Sequence, residues 1–173
     1  SRVSASCLPP SPPFPWTSES ANSTFLSRQK SSTNLSSASV SVDGECCASV
    51  SRGLLVFLGV THGDTEAVAE KLAEKIRKLR IFEDENGKTN LSIEDVAGEL
   101  LVVSQFTLYA DCRRGNRPGF ENAAKGDHAE RIYEYFLSCC KSRFRSVGHG
   151  IFGADMKVSL VNDGPFTIML ETV

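Results

Sequence analysis

Apolar residues alternate with polar ones, or run together, in segments that predict β-strands. Residues 37–42 alternate, as in a strand with one buried face, and Asp43-Gly44 follows as a hairpin turn. Residues 53–60 and 99–106 are almost continuously apolar, which is typical of strands buried on both faces. Near the end of the chain, residues 156–161 and 166–170 predict two further strands joined by a tight turn.

Two other segments repeat apolar residues at the helical spacings of three and four. The first begins after Asp64, the expected N-cap, and its core-facing residues are Val68, Leu72, Ile76 and Leu79. The second begins at Asp127, which forms a predicted capping box with Glu130. Its expected buried side is formed by Ile132, Tyr135, Phe136 and Cys139. Together the segments predict an α+β or mixed α/β domain in which strands outnumber two helices.

Composition changes abruptly near residue 35. The first 34 residues hold ten serines and five prolines and show no lasting apolar period, so residues 1–34 are predicted to be a disordered or targeting-like extension. Residues 35–173 form the predicted folded domain. We expect a cytoplasmic protein, or an organellar one if residues 1–34 are a transit peptide.

The overall balance of the 173 residues is 40% hydrophobic with a formal net charge of −2. No apolar run approaches the roughly 20 residues that span a bilayer, so a membrane partner is not expected. A mildly acidic domain does not hold nucleic acid by bulk electrostatics, and DNA is not an expected partner. The six cysteines and three histidines form no metal-ligand spacing, so we expect no metal and no cofactor.

Two clusters of polar residues are candidates for chemistry. Ser104, Gln105, Phe106 and Thr107 stand at the end of an apolar strand, a common place for site residues. Thr107 could be a nucleophile only with a base in reach, and no His, Asp or Lys adjoins it in sequence. The other cluster concentrates three guanidinium groups, which suit either phosphate binding or a solvated loop: Arg113, Arg114 and Arg117.

The first cluster becomes more informative when it is considered together with a second motif near the end of the chain. The segment 99–110, which contains S-Q-x-x-L, and the segment 162–167, which has the form N-x-G-P-x-T, resemble the D-aminoacyl-tRNA deacylase family. The likeness extends in order over roughly residues 36–173. It implies an α+β fold with a mixed sheet or partial β-barrel and two helices. One departure is that the residues before Ser36 are polar where the family has an apolar first strand, so half of that strand is expected to be missing or replaced.

The resemblance implies a hydrolase that cleaves the ester bond of D-aminoacyl-tRNA, releases free amino acid and tRNA, and also accepts glycyl-tRNA. It implies a homodimer in which the turn at Gly164 and Pro165, with a cis peptide bond, enters the partner's pocket and sets the selectivity. Asn162 and Thr167 are the matching support residues. Ser104, Gln105, Phe106 and Thr107 match the pocket for the aminoacyl-adenosine. Alternatively, the altered first strand leaves a catalytically impaired tRNA-binding module.

We expect the main chain to do most of the chemistry in such an enzyme. An aminoacyl ester is already activated, so orientation and backbone N–H groups near Phe106 and Thr107 can stabilise the developing oxyanion. The RNA's 2′-hydroxyl would help to activate water, with Thr107 as covalent nucleophile the less favoured route. Arg113, Arg114 and Arg117 are the expected tRNA contacts.

Overall fold

The computed structural model describes the backbone of residues 24–29 and residues 38–163 and 165–171 in full. Its two helices are α1 (Glu66–Lys78) and α2 (Gly126–Arg143), and a short 3-10 helix spans Phe106–Tyr109. The strands are β1 (Thr24–Gln29), β2 (Ala38–Val42), β3 (Glu45–Val50), β4 (Gly53–Leu58), β5 (Phe82–Glu83), β6 (Thr89–Leu91), β7 (Glu99–Ser104), β8 (Val147–His149), β9 (Met156–Leu160) and β10 (Asn162–Leu170). The predicted α+β class with a mixed sheet and two helices is confirmed.

The main sheet has the strand order β10-β1-β4-β7-β8. Strand β1 runs antiparallel to both of its neighbours, whereas β4, β7 and β8 are parallel. A second sheet has the order β3-β2-β9, and β5 pairs with β6 as a small hairpin. Because β4 and β7 lie in the interior of the main sheet, their continuous apolar sequences are explained by burial on both faces.

The alternation of side chains along β4 and β7 divides the core in two. Leu54, Val56, Leu58, Leu100 and Val102 pack with the two helices on one face of the sheet. On the other face, Leu55, Leu101 and Val103 pack against Ala38, Val40 and Val50 of the second sheet. The molecule therefore has three layers: helices, the main sheet and the second sheet.

Two turns depend on unusual backbone conformations. Asp43 and Gly44 have φ values of 52° and 85°, which suit the predicted hairpin turn between β2 and β3. At the start of β4, Gly53 has φ 156°, and a Cβ there would lie 1.8 Å from the carbonyl oxygen of Glu99. Only glycine permits β7 to approach β4 this closely.

The starts of both helices differ from the prediction. Thr65, not Asp64, is the N-cap of α1, and its hydroxyl accepts a hydrogen bond from the Val68 amide at 3.4 Å. The Asp64 carboxylate instead accepts from the Thr61 amide at 2.7 Å. The predicted capping box of α2 is also wrong, because Lys125 in extended backbone precedes the helix and makes no side-chain cap.

The buried face of α2 is rotated slightly from the predicted one. Ile132, Phe136 and Cys139 are buried as expected, but the buried tyrosine is Tyr133, whose hydroxyl donates to the Val102 carbonyl at 3.2 Å. Tyr135 lies at the edge of the helix pair, where its hydroxyl donates to Glu70 at 2.7 Å. No described helix is both long enough and apolar enough to cross a membrane.

A strand forms inside the segment predicted to be a disordered or targeting-like extension. Residues 24–29 make β1, which pairs with β4 from Thr24 opposite Leu58 to Gln29 opposite Gly53. The prediction of a disordered or targeting-like extension is therefore wrong for these six residues. The first strand was expected to be half missing or replaced, and residues 24–29 form its replacement. The physical reason is that the backbone N–H and C=O groups on the facing edges of β4 and β10 need hydrogen-bond partners. Any extended segment between the two strands supplies those partners, whatever its side chains. The remainder of residues 1–34 lies outside the described residues.

The last two strands do not form the expected hairpin. β9 pairs with β2 in the second sheet, whereas β10 begins at Asn162 and pairs with β1 in the main sheet. The chain therefore changes sheets at Val161. The strand order explains the error, because β1 offers β10 a partner that sequence reasoning did not recognise.

Candidate active site

The first predicted cluster lies where β7 ends. The strand stops at Ser104, Gln105 follows with φ −145° and ψ 85°, and the 3-10 helix begins at Phe106. The strand was predicted to continue to Phe106, so its end comes two residues early. The Gln105 amide donates to the Leu58 carbonyl at 2.8 Å, which fixes this corner to the end of β4.

Two backbone amides at this corner have no acceptor within the 3-10 helix. The first amide to donate within this helix is that of Leu108, which binds the Gln105 carbonyl at 3.3 Å. The amides of Phe106 and Thr107 come earlier in the chain and have no carbonyl of the helix to bind. Neither has a hydrogen-bond partner elsewhere in the described chain. Two neighbouring N–H groups of this kind are suited to binding an oxyanion.

The Thr107 hydroxyl is held by an amide, not by a base. Gln105 Nε2 donates to Thr107 Oγ1 at 2.5 Å. A carboxamide cannot take the proton of a hydroxyl, and no acid, imidazole or amine among the described residues hydrogen-bonds to Thr107. The contact therefore orients the hydroxyl and does not activate it as a nucleophile.

The arginine loop is brought to the same corner. Asp111 and Gly119 exchange two backbone hydrogen bonds of 2.8 and 2.9 Å, which close the loop at its base. Just beyond, Phe120 packs edge-to-face on Phe106 with ring centroids 5.1 Å apart. Phe106 is nevertheless 58% exposed. The structure thus joins the Ser104–Thr107 segment to the loop through an aromatic pair that remains accessible.

The three arginines are not equivalent. Arg113 forms a bidentate ion pair with Asp111, in which Nε donates to Oδ1 at 2.8 Å and Nη2 donates to Oδ2 at 2.6 Å. This pairing holds the pKa of Asp111 well below its usual range. Arg114 and Arg117 are exposed and form no ion pair within the described part of the chain. Their charges are therefore the more available ones for a phosphate.

The turn with the predicted selectivity element is a bulge at the start of β10. Two steps along β1, from Ser27 to Gln29, correspond to five along β10, from Thr167 to Asn162. The Asn162 side chain closes the bulge, because Nδ2 donates to Thr167 Oγ1 at 2.8 Å and Oδ1 accepts from the Phe166 amide at 3.1 Å. Pro165 is exposed. Gly164, and with it the predicted cis bond, lies outside the described residues.

The two predicted halves of the site are not together in one chain. Across the sheet, Asn162 lies level with Gln29, Gly53 and Glu99, whereas Ser104 lies level with Leu58 and Thr24 at the opposite end. From strand spacings, the bulge and Ser104 are separated by about 17 Å along the strands and about 14 Å across them.

Comparison with known proteins places this arrangement in a family. A family model described as D-Tyr-tRNA(Tyr) deacylase matches residues 33–171. The chain belongs to this deacylase family. It is 56% identical over 135 residues to a D-aminoacyl-tRNA deacylase of Bacillus cytotoxicus, covering 78% of this chain and 92% of that protein. It is 53% identical over 138 residues to the corresponding protein of Clostridioides difficile, covering 80% and 93%.

Solved structures agree on the fold. A structure named c-Myc DNA Unwinding Element Binding Protein matches with a TM-score of 0.79 and 39% identity over 87% of this chain and 99% of that one. A probable eukaryotic D-amino acid tRNA deacylase matches with a TM-score of 0.75 over 88% and 100%. The latter is only 15% identical, so it supports the deacylase fold alone.

Sequence reasoning missed two residues of this candidate site. Phe120 was not recognised as the partner of Phe106, and Asp111 was not recognised as the residue that grips Arg113. The Asp-x-Arg spacing signals the second contact, since it permits a side chain to fold back on its own loop. The aromatic contact spans fourteen positions and has no local signal. Among the described residues, no group of three or more His, Cys, Asp or Glu side chains could hold a metal ion.

Proposed function

We propose that this deacylase family member hydrolyses the ester bond of D-aminoacyl-tRNA at the Ser104–Thr107 corner and releases free amino acid and tRNA. The observation that carries the site is the pair of amides of Phe106 and Thr107 beside a hydroxyl held by Gln105. The ester is already activated, so orienting it and stabilising the oxyanion provide much of the acceleration. The substrate's 2′-hydroxyl assists the attacking water, and Thr107 stays uncharged and non-covalent.

The Gly164-Pro165 turn selects the substrate in this proposal. If carbonyl groups of the turn fix the amino group, an L side chain points into main chain and a D side chain points outward. Rejection of L substrates is then steric and does not depend on side-chain chemistry. Glycine has no side chain to reject, so glycyl-tRNA is a substrate as well.

The active form in this proposal is a homodimer. Within one chain the Gly164-Pro165 bulge and the Ser104 corner lie at opposite ends of the sheet, so the turn can complete only the pocket of a second copy. The bulge lies on β10, an edge strand of the main sheet. The exposed apolar residues Leu160 and Val161 come just before the bulge, and exposed Met169 lies near the other end of the same strand. Exposed apolar side chains along an edge strand favour association with another chain.

The tRNA partner is contacted by the arginine loop. Arg114 and Arg117 bind backbone phosphates near the acceptor end, with Arg113 held on Asp111 beside them.

DNA and a membrane are not partners in this proposal, and the location is cytoplasmic unless residues 1–34 direct the chain to an organelle. Because one similar structure is named for DNA binding, duplex DNA is the informative competitor in a tRNA-binding assay.

Substitution of the turn tests the proposal. Purified wild-type protein should hydrolyse D-aminoacyl-tRNA and glycyl-tRNA and spare the L form. Pro165→Ala should admit L-aminoacyl-tRNA or abolish turnover, whereas Glu85→Gln, an exposed change in a distant turn, should leave both rates unchanged. Wild-type D-to-L discrimination in the Pro165 variant would contradict the assignment. Tight tRNA binding by wild type with no hydrolysis of any ester would favour the impaired binding module instead.

A further inference from the structure

A buried carboxyl group lies in the loop between β4 and α1, outside the candidate active site. Asp64 is only 2% exposed. Its Oδ2 accepts from the Thr61 amide at 2.7 Å, and the Asp64 amide donates to the Thr61 carbonyl at 3.2 Å. Its other oxygen, Oδ1, is buried and has no hydrogen-bond partner in the described part of the chain.

His128, in the first turn of α2, faces the same cleft as Asp64. Its Nε2 is also buried without a hydrogen-bond partner among the described residues. The other titratable or charged side chains that line the cleft are His62, Glu66 and Arg131. Arg131 binds Glu66 at 3.1 Å, so these two charges offset each other, and His128 is the group that acts on the Asp64 charge.

The Asp64 loop is fastened to the segment that carries Phe120. The Thr61 hydroxyl donates to the Asn122 carbonyl at 2.6 Å, and Thr61 forms a β-bridge with Ala123. His62 Nε2 lies 2.9 Å from the Glu121 carbonyl oxygen. The Ala123 amide in turn donates to the Phe120 carbonyl at 3.0 Å. A path of hydrogen bonds therefore leads from Asp64 through Thr61 to the aromatic pair beside Thr107.

We propose that ionised Asp64, assisted by His128, is a positioning residue that holds the Phe120 segment against Phe106 and so keeps the candidate active site in its competent geometry. This inference rests on the proposed function, because the competence in question is for ester hydrolysis. An ionised carboxylate accepts the Thr61 N–H more strongly than a protonated one does. Loss of the charge loosens the loop, and with it Phe120.

The electrostatics give the direction of the pH dependence. Burial raises the pKa of Asp64 to about 6, although the Thr61 hydrogen bond and His128 favour the charged form. The folded state therefore binds this proton more tightly than the unfolded chain. The free energy of unfolding falls as the pH rises from about 4 to about 6, so the charged form costs stability. A buried acid kept ionised at such a cost is typical of a functional requirement.

The test compares pH profiles of kcat/KM for a D-aminoacyl-tRNA between pH 5 and 8. Asp64→Asn keeps the size and an acceptor for Thr61 but cannot ionise. We expect this variant to be about fivefold less active than wild type at pH 8 and equal to it near pH 5. The matched control, Glu85→Gln, removes an exposed acid and should follow wild type throughout. The direct pH dependence of the ester cancels in these ratios.

A second variant and a stability measurement separate positioning from damage. His128→Gln removes the imidazole whose electrostatic interaction favours ionised Asp64, so the midpoint of the fall in kcat/KM toward acid pH should move to higher pH. Asp64→Asn should be at least as stable as wild type at pH 8 in urea denaturation. A profile of Asp64→Asn parallel to that of wild type, or a His128→Gln midpoint that does not move, overturns the inference while the wild-type activity still stands. Inactive wild type instead contradicts the proposed function.

Discussion

Single side chains at the Ser104–Thr107 corner act mainly as supports for the main chain. Thr107 Oγ1 accepts from Gln105 Nε2, and Gln105 is itself fixed to Leu58 through its backbone amide. The groups that face a substrate's carbonyl are then the amides of Phe106 and Thr107, which any side chain at those positions retains. This explains why the sequence offers no acid-base constellation near Thr107.

Replacement of Thr107 separates the two mechanisms at this scale. Thr107→Ala removes one neutral hydrogen bond, worth about 1 kcal/mol, so kcat should fall by about fivefold. A covalent nucleophile would lose roughly a thousandfold or more, because the acyl-enzyme route would disappear. Single-turnover hydrolysis of D-aminoacyl-tRNA checks this, with Thr107→Ser as the matched control that keeps the hydroxyl. A loss of a thousandfold or more in Thr107→Ala that Thr107→Ser restores would contradict the non-covalent account.

Individual elements show which sequence signals are reliable. The alternation in β2 and the apolar runs of β4 and β7 predicted real strands, because burial on one or both faces dictates those patterns. The ends of elements were less predictable. Asp64 and Thr65 are both good N-caps, and the choice between them depends on Thr61, which the folded loop brings to Asp64. The early end of β7 depends on the Leu58 carbonyl in the same way.

The arginine loop is the element that should control tRNA affinity. Arg114→Ala with Arg117→Ala should weaken tRNA binding about tenfold near 100 mM salt and reduce the slope of log K against log salt by about 1 to 2. Arg113→Ala should have a smaller effect, because its guanidinium already pairs with Asp111. Filter binding at several salt concentrations measures this, with Lys71→Ala on α1 as the control. Unchanged affinity in the double variant would show that the acceptor stem docks elsewhere.

The whole molecule is where sequence reasoning was least complete. The family resemblance led to the correct fold class, but the serine- and proline-rich composition of residues 1–34 concealed β1, and without β1 the pairing of β10 was assigned to β9. That pairing decides where the bulge lies relative to Ser104. No local pattern encodes it, since strand order depends on contacts between distant segments. The separation of the two motifs in one chain is thus a result of the structure.

The central claim is that each pocket is completed by the turn of another copy, and mixed dimers test it most directly. One protomer would carry a normal turn and Phe106→Pro, which removes one of the two oxyanion-binding amides at a helix start that tolerates proline. The other protomer would carry a normal pocket and Pro165→Ala. Co-expression should restore D-selective hydrolysis that neither parent shows, to about a quarter of the wild-type rate, because half of the dimers contain one intact composite site. Mixed dimers with no D-selective turnover beyond that of the two parents would contradict the account.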